Sequence, residues 1–192
     1  MTDEVKVDVR RDGRRFEAEA MLDLAADVQT VWDTITDYDA LSSFMPGIRA
    51  CRVIERRTLT KATEQLVVEQ QGEFRVLLFA QAMTVMLNIE HRYLRVAEAK
   101  AVSFDLGVFK RRAIDVFEGR YEILPVAGRR RPPRVQLRYT AVIGLRLPPP
   151  PTIGSMAVRQ NLAAQLEAVA AEIARRNARP GSSSRGRSNS SK

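Results

Sequence analysis

The stretch Val31-Trp32-Asp33-Thr34-Ile35-Thr36-Asp37-Tyr38-Asp39-Ala40-Leu41-Ser42-Ser43-Phe44-Met45-Pro46-Gly47 decides how the rest of the chain is read. Val28, Val31, Trp32 and Ile35 recur at i, i+3, i+4 and i+7, the stripe of a short amphipathic helix. Asp27 stands just before it, where a short carboxylate accepts from the unpaired backbone N–H groups of the first turn. A second helical turn is expected around Asp39–Phe44, ending at Met45-Pro46-Gly47, because proline disfavours helix in the residue before it and glycine frees the next step. The chain therefore makes two short helices and is delivered, sharply turned, into a strand.

Upstream, residues 1–14 are charged and read as a flexible segment. Phe16, Ala18, Ala20, Leu22 and Leu24 alternate with polar residues as a strand with one apolar face, an alternation that Met21 interrupts. Downstream, Ile48–Arg57 reads as a second strand. From Thr63 to Leu106 the chain is almost all strand, with Gly72 as a bulge or bend. Phe117–Ile123 and Val135–Tyr139 carry apolar residues or glycine at odd positions and polar ones at even positions, the pattern of an antiparallel sheet with one dry face.

Four prolines, Pro148 to Pro151, stop the last strand, since proline cannot donate to a ladder. A long helix then runs from between Thr152 and Ser155 to about Asn177. Its stripe is Val158, Leu162, Leu166, Val169 and Ile173. The segment 178–192, rich in Ser, Gly and Arg, reads as a disordered basic tail. Local pattern alone gives an α+β chain of about seven strands with a terminal helix on the dry face of an antiparallel sheet.

At 192 residues the chain is long enough for one domain with a real core, expected over 15–177. Of 31 Lys and Arg, six lie from Arg175 onward, where there is no acid; the remainder is within two charges of balancing the 23 Asp and Glu. The basic character belongs to the tail, so charge gives no case for a nucleic-acid-binding fold. The single Cys51 cannot form an internal disulfide, and no run of apolar residues is long enough to span a bilayer. With acids early and no apolar leader segment, the protein reads as cytoplasmic, with a peripheral position at the inner membrane face as the variant.

Trp32, Asp37, Tyr38, Leu41, Phe44, Met45, Pro46 and Gly47 together resemble the signature that follows the first strand in the START-like (SRPBCC) superfamily. That superfamily includes polyketide cyclase/dehydrase proteins, coenzyme Q-binding START proteins and lipid-transfer domains. The resemblance spans about Phe16 to Arg176. It implies a helix-grip fold, in which a curved sheet wraps the long C-terminal helix and leaves a cavity between them. Periodicity by itself is equally satisfied by a filled core.

The catalytic signals are sparse. His91, beside Glu90 and Arg92, reads as a solvated strand-end histidine, and no nucleophile motif accompanies it. One Cys and one His make no zinc cluster, and isolated glycines make no phosphate-binding loop. Asp33, Asp37 and Asp39 are expected to cap and solvate the short helices. No cofactor or metal is expected.

The candidate ligand-binding residues are Phe44, Met45, Val85, Leu87, Phe104, Leu106, Phe117, Tyr121, Leu137, Tyr139, Val158, Arg159, Leu162 and Leu166. Tyr121, Tyr139 and Arg159 are the polar groups expected to orient a head group. The expected guest is a hydrophobic small molecule, a lipid, quinone or other isoprenoid, held for carriage or protection. Phe109, Lys110, Arg111 and Arg112 combine an aromatic with three positive charges and, by the resemblance, lie at the cavity mouth, suited to transient contact with an anionic membrane. Two alternatives stand beside this: an aromatase/cyclase acting on a polyketide-like substrate in the same cavity, and a ribosome- or RNA-associated protein using the tail and Arg129–Arg134.

Overall fold

The computed structural model describes residues 5–76, 79–105, 114–126, 133–146 and 151–178. Eight strands form one antiparallel sheet: β1 (Val7–Asp12), β2 (Arg15–Leu24), β3 (Ile48–Thr58), β4 (Thr63–Val76), β5 (Phe79–Arg92), β6 (Val96–Asp105), β7 (Ile114–Pro125) and β8 (Val135–Leu145). Their spatial order is β1-β2-β8-β7-β6-β5-β4-β3. Helix α1 (Val28–Ile35), a 3-10 turn (Tyr38–Ala40) and helix α2 (Leu41–Phe44) carry the chain from β2 to the far edge strand β3. Helix α3 (Pro151–Asn177) packs on β1, β2 and β4 and against α1 and α2.

The α+β architecture, the two short helices and the long terminal helix match the sequence expectation. Asp27 caps α1 as expected, accepting from the Thr30 backbone N–H at 2.8 Å. The sheet holds one strand more than expected, because residues 7–12 do not lie loose: β1 pairs with β2 from Val7↔Ala20 to Asp12↔Arg15. Val5, Val7 and Val9 alternate with polar residues and bury that edge, with Val7 only 3% exposed. Met21 does not disturb β2; it occupies a solvent-facing position in strict alternation.

Register shifts between Ile48 and Ala50, Val53 and Glu55, Met86 and Leu87, and Ile114 and Val116 insert unpaired residues. Such bulges bend the strand that carries them and sharpen its twist, which helps the sheet curve around α3. All five residues expected for the α3 stripe are buried. The C-terminal end of α3 is held by charge: buried Glu172 accepts from Arg175 and Arg176, and Arg176 reaches on to the Asp37 carboxylate at 2.9 Å. Hydrogen bonds from Arg175 first, then Arg176, hold the Glu172 carboxyl down at about 2 against the cost of its burial. Asp37 thus serves an ion pair and makes no side-chain cap on the 3-10 turn.

The core is split. One cluster lies where α1 and α3 meet β2 and β8, centred on Phe16, Val31, Leu137, Leu166 and Ile173. A second lies under the 3-10 turn and α2, with Tyr38, Leu41, Cys51, Leu66 and Val68. Phe44, Met45 and Phe117 touch both.

Candidate functional site

A cavity of about 680 Å³ opens where the two clusters fail to merge, between the sheet and α3. Small side chains along one row of paired strands help leave it room. Ile89 on β5 faces Ala99 on β6, which faces Gly119 on β7, which faces Ala141 on β8. Three successive inward positions therefore carry one carbon of side chain or none. Ala97, one inward step further along β6, is also small and also lines the space. A Cβ on Gly119 would stand 3.3 Å from the Tyr139 hydroxyl and 3.4 Å from the Phe117 ring, so glycine leaves room for both.

The rim is set by the turn between α2 and β3. Gly47 has φ +82, a left-handed conformation that side chains strain. Its carbonyl accepts from the Glu73 N–H at 2.8 Å, and Gly72 lies so close beneath it that a Cβ on Gly72 would collide with the Gly47 oxygen. Gly72 therefore serves close approach within a continuous β4; the extra residue of the local bulge belongs to β3. Arg49 and Glu73, both lining the cavity, form an ion pair at 2.6 Å across this rim.

The walls are mostly apolar, with Gln70, Asn161 and Gln165 as uncharged polar exceptions. Of the residues expected to meet a ligand, Met45, Val85, Leu87, Phe104, Phe117, Tyr121, Tyr139, Val158 and Leu162 line the cavity. Leu137 and Leu166 are instead fully packed in the first cluster, and Phe44 packs between the two clusters without reaching the cavity wall. Arg159 is placed elsewhere: its Nε donates to the Val7 carbonyl at 3.1 Å, pinning α3 to β1. Successive side chains on a helix are about 100° apart, so the one after an inward Val158 points to the flank of α3, towards the edge strand β1. Leu106 and the segment Phe109, Lys110, Arg111 and Arg112 lie outside the described residues, as do residues 127–132 with Arg129–Arg131.

Sequence reading missed Tyr38, Met83, Ile89, Ala97, Ala99, Gly119, Asn161 and Gln165, all of which line the space. The available signal was the run of small residues at alternate positions of β6, Ala97, Ala99 and Ala101, next to a strand carrying Gly119.

His91 is the clearest correction. It is buried, with Nε2 2.7 Å from the Tyr38 hydroxyl, the Tyr38 ring stacked on it and Trp32 edge-on at 5.2 Å. Its inward position follows from β5 parity with Leu87 and Ile89. Burial, followed by the charge of Arg56, lowers its pKa to about 4, so the ring is neutral. Burial likewise pushes the Cys51 thiol up to about 12.

Tyr121 and Tyr139 face each other across β7 and β8, rings 4.7 Å apart. Burial raises both phenol pKa values, and for Tyr121 the neighbouring Tyr139 adds to the rise. Both remain protonated donors at neutral pH. Among the described residues no group of three His, Cys, Asp or Glu side chains converges as metal ligands do. The arrangement can hold an apolar molecule and donate hydrogen bonds to it.

Residues 24–170 match the family model described as polyketide cyclase / dehydrase and lipid transport. A comparison with curated proteins by sequence finds no match. Among solved structures, a START superfamily protein from Mycobacterium smegmatis superposes with a TM-score of 0.62 at 14% identity, covering 83% of this chain and 97% of its own. The Zhui aromatase/cyclase from a Streptomyces species gives 0.62 at 17% identity, covering 84% and 95%. A STAR-related lipid transfer protein from Xanthomonas axonopodis gives 0.63 at 14%, covering 90% and 94%. At these identities the likeness is one of fold.

Proposed function

Because the chain belongs to the polyketide cyclase / dehydrase and lipid transport family, within the START-like superfamily, we propose that it binds a hydrophobic small molecule between its sheet and α3 and acts as a carrier or chaperone for it. The observation that supports this most is the apolar cavity of about 680 Å³, inside the range of about 300–1,000 Å³ usual for small-molecule sites. Each methylene withdrawn from water contributes about 0.8 kcal/mol, so a ten-carbon tail offers about 8 kcal/mol before the costs of ordering. A lipid, a quinone or another isoprenoid fits that description.

An anionic membrane surface is the natural place for such a guest to exchange, and the sequence Phe109-Lys110-Arg111-Arg112 has the chemistry for reversible docking there. No helix among the described residues is long and apolar enough to cross a membrane. A cyclase using the same cavity would find hydrogen-bond donors in Tyr121 and Tyr139, but their raised pKa values make them poor proton acceptors at neutral pH. Mass spectrometry of an organic extract from gently purified protein tests the proposal. A co-purified quinone or acyl lipid is the expected result; repeatedly empty preparations that also take up nothing from vesicles would oppose it.

A further inference from the structure

Resting on the cavity as a ligand site, we infer that its inner end selects a neutral carbonyl: Tyr121 and Tyr139 donate hydrogen bonds to an uncharged carbonyl oxygen of an otherwise apolar guest, and a carboxylate is excluded there. Tyr139 is only 5% exposed, both rings line the cavity, and neither hydroxyl bonds a protein group; since no buried side-chain N or O atom among the described residues lacks a partner, both hydroxyls open onto the cavity. The third cavity-lining tyrosine is already committed, since the Tyr38 hydroxyl is bonded to His91. A hydroxyl that opens onto an apolar cavity keeps a donor free, and an acceptor atom on the guest supplies its partner.

The position of charge points the same way. Among the described residues lining the cavity, only Arg49 and Glu73 are charged, and they are paired with each other at the rim. They sit on β3 and β4, whereas the tyrosine pair sits on β7 and β8, with β5 and β6 between. The intervening wall is Val85, Leu87, Ile89, Phe104 and Phe117. An ionised carboxylate at the tyrosine end would lose water and meet no cation, which a neutral carbonyl avoids. Gly119 completes the subsite, because any side chain there would crowd the Tyr139 hydroxyl.

The test uses the full chain loaded with the lipophilic fluorophore diphenylhexatriene, displaced in turn by tridecane, by the methyl ketone tridecanone and by dodecanoate. The expected ranking places the ketone about tenfold tighter than the alkane, the effect of two neutral hydrogen bonds, with dodecanoate weaker than the ketone. A Tyr121→Phe/Tyr139→Phe double variant should keep alkane binding and lose the ketone's advantage. Its Tm should be no lower than that of the unsubstituted chain, since the deleted hydroxyls have no protein partner. Equal affinity for ketone and alkane, a preference that survives in the double variant, or tightest binding of dodecanoate would each overturn the inference while leaving the cavity reading in place. Displacement by none of the three would overturn both. Should the double variant fail to fold, the ranking in the unsubstituted chain decides.

Discussion

The Tyr38 hydroxyl stands 2.7 Å from His91 Nε2, joining the connection between α1 and α2 to the end of β5. Burial holds the phenol protonated and keeps the imidazole neutral, so one proton joins the pair and its donor is set by the imidazole tautomer; Nδ1 lies 4.0 Å from the Glu64 carboxylate. The Tyr38 hydroxyl is thereby engaged by His91, while the residue still lines the cavity. Replacing Tyr38 by Phe keeps the ring and leaves the buried His91 Nε2 without its partner. The expected loss is about 1–3 kcal/mol, read from urea denaturation; an unchanged midpoint would show that His91 finds another partner.

The same histidine gives the fold an acid sensitivity of definite sign. Its pKa falls from 6.5 to about 4 on folding, so the unfolded chain binds the proton first. Stability is full above about pH 6.5, declines as pH drops from there towards 4, and gains no further loss from this group below that. The titratable and charged groups facing His91 are Tyr38, Glu64 and Arg56. Denaturation midpoints followed from pH 7 to 4 should therefore fall less steeply in a His91→Gln variant. Parallel slopes would remove His91 from the explanation.

The contact between Gly47 and Gly72 predicts a local intolerance at the rim. A methyl group on Gly72 meets backbone, which cannot swing aside, and the hydrogen bond from Glu73 to Gly47 must shift with it. Gly72→Ala is expected to cost about 1–3 kcal/mol by thermal or urea unfolding. Gly47→Ala is expected to cost about 1–2 kcal/mol through its left-handed backbone alone. A neutral Gly72→Ala would mean that the turn is free to move off β4.

These three relationships also mark where the sequence stopped being readable. Asp27, the α1 stripe, the Pro46-Gly47 turn and the α3 stripe are local patterns, each set by neighbours within a turn or two, and they appear in the structure as expected. The cavity is not local. Its small-residue wall depends on Ala99 and Gly119 falling opposite each other on β6 and β7, a register set by pairing between strands that local composition does not show. His91 looked solvated because its sequence neighbours Glu90 and Arg92 are charged, yet strand parity alone turns those two outward and His91 in. Arg159 failed for a related reason on a helix, where one step on from Val158 rotates the side chain about 100°, to the flank that faces β1.

The proposed membrane contact rests on the chemistry of Phe109 and its three basic neighbours. Flotation with vesicles rich in anionic lipid should recover the chain at low salt and progressively less as salt rises. Phe109→Ala combined with charge reversal at Lys110, Arg111 and Arg112 should abolish recovery. Binding that ignores both salt and the substitutions would place the contact elsewhere or remove it.

The central claim, that a guest occupies the space between α3 and the sheet, is tested most directly by filling that space. Ala99→Phe puts a large ring at the β6 end of the small-residue row, where the side chain lines the cavity. Saturation with diphenylhexatriene should give one molecule per unsubstituted chain and little or none for Ala99→Phe, with far-UV circular dichroism the same for both. No uptake by the unsubstituted chain, or undiminished uptake by a folded Ala99→Phe, would contradict it.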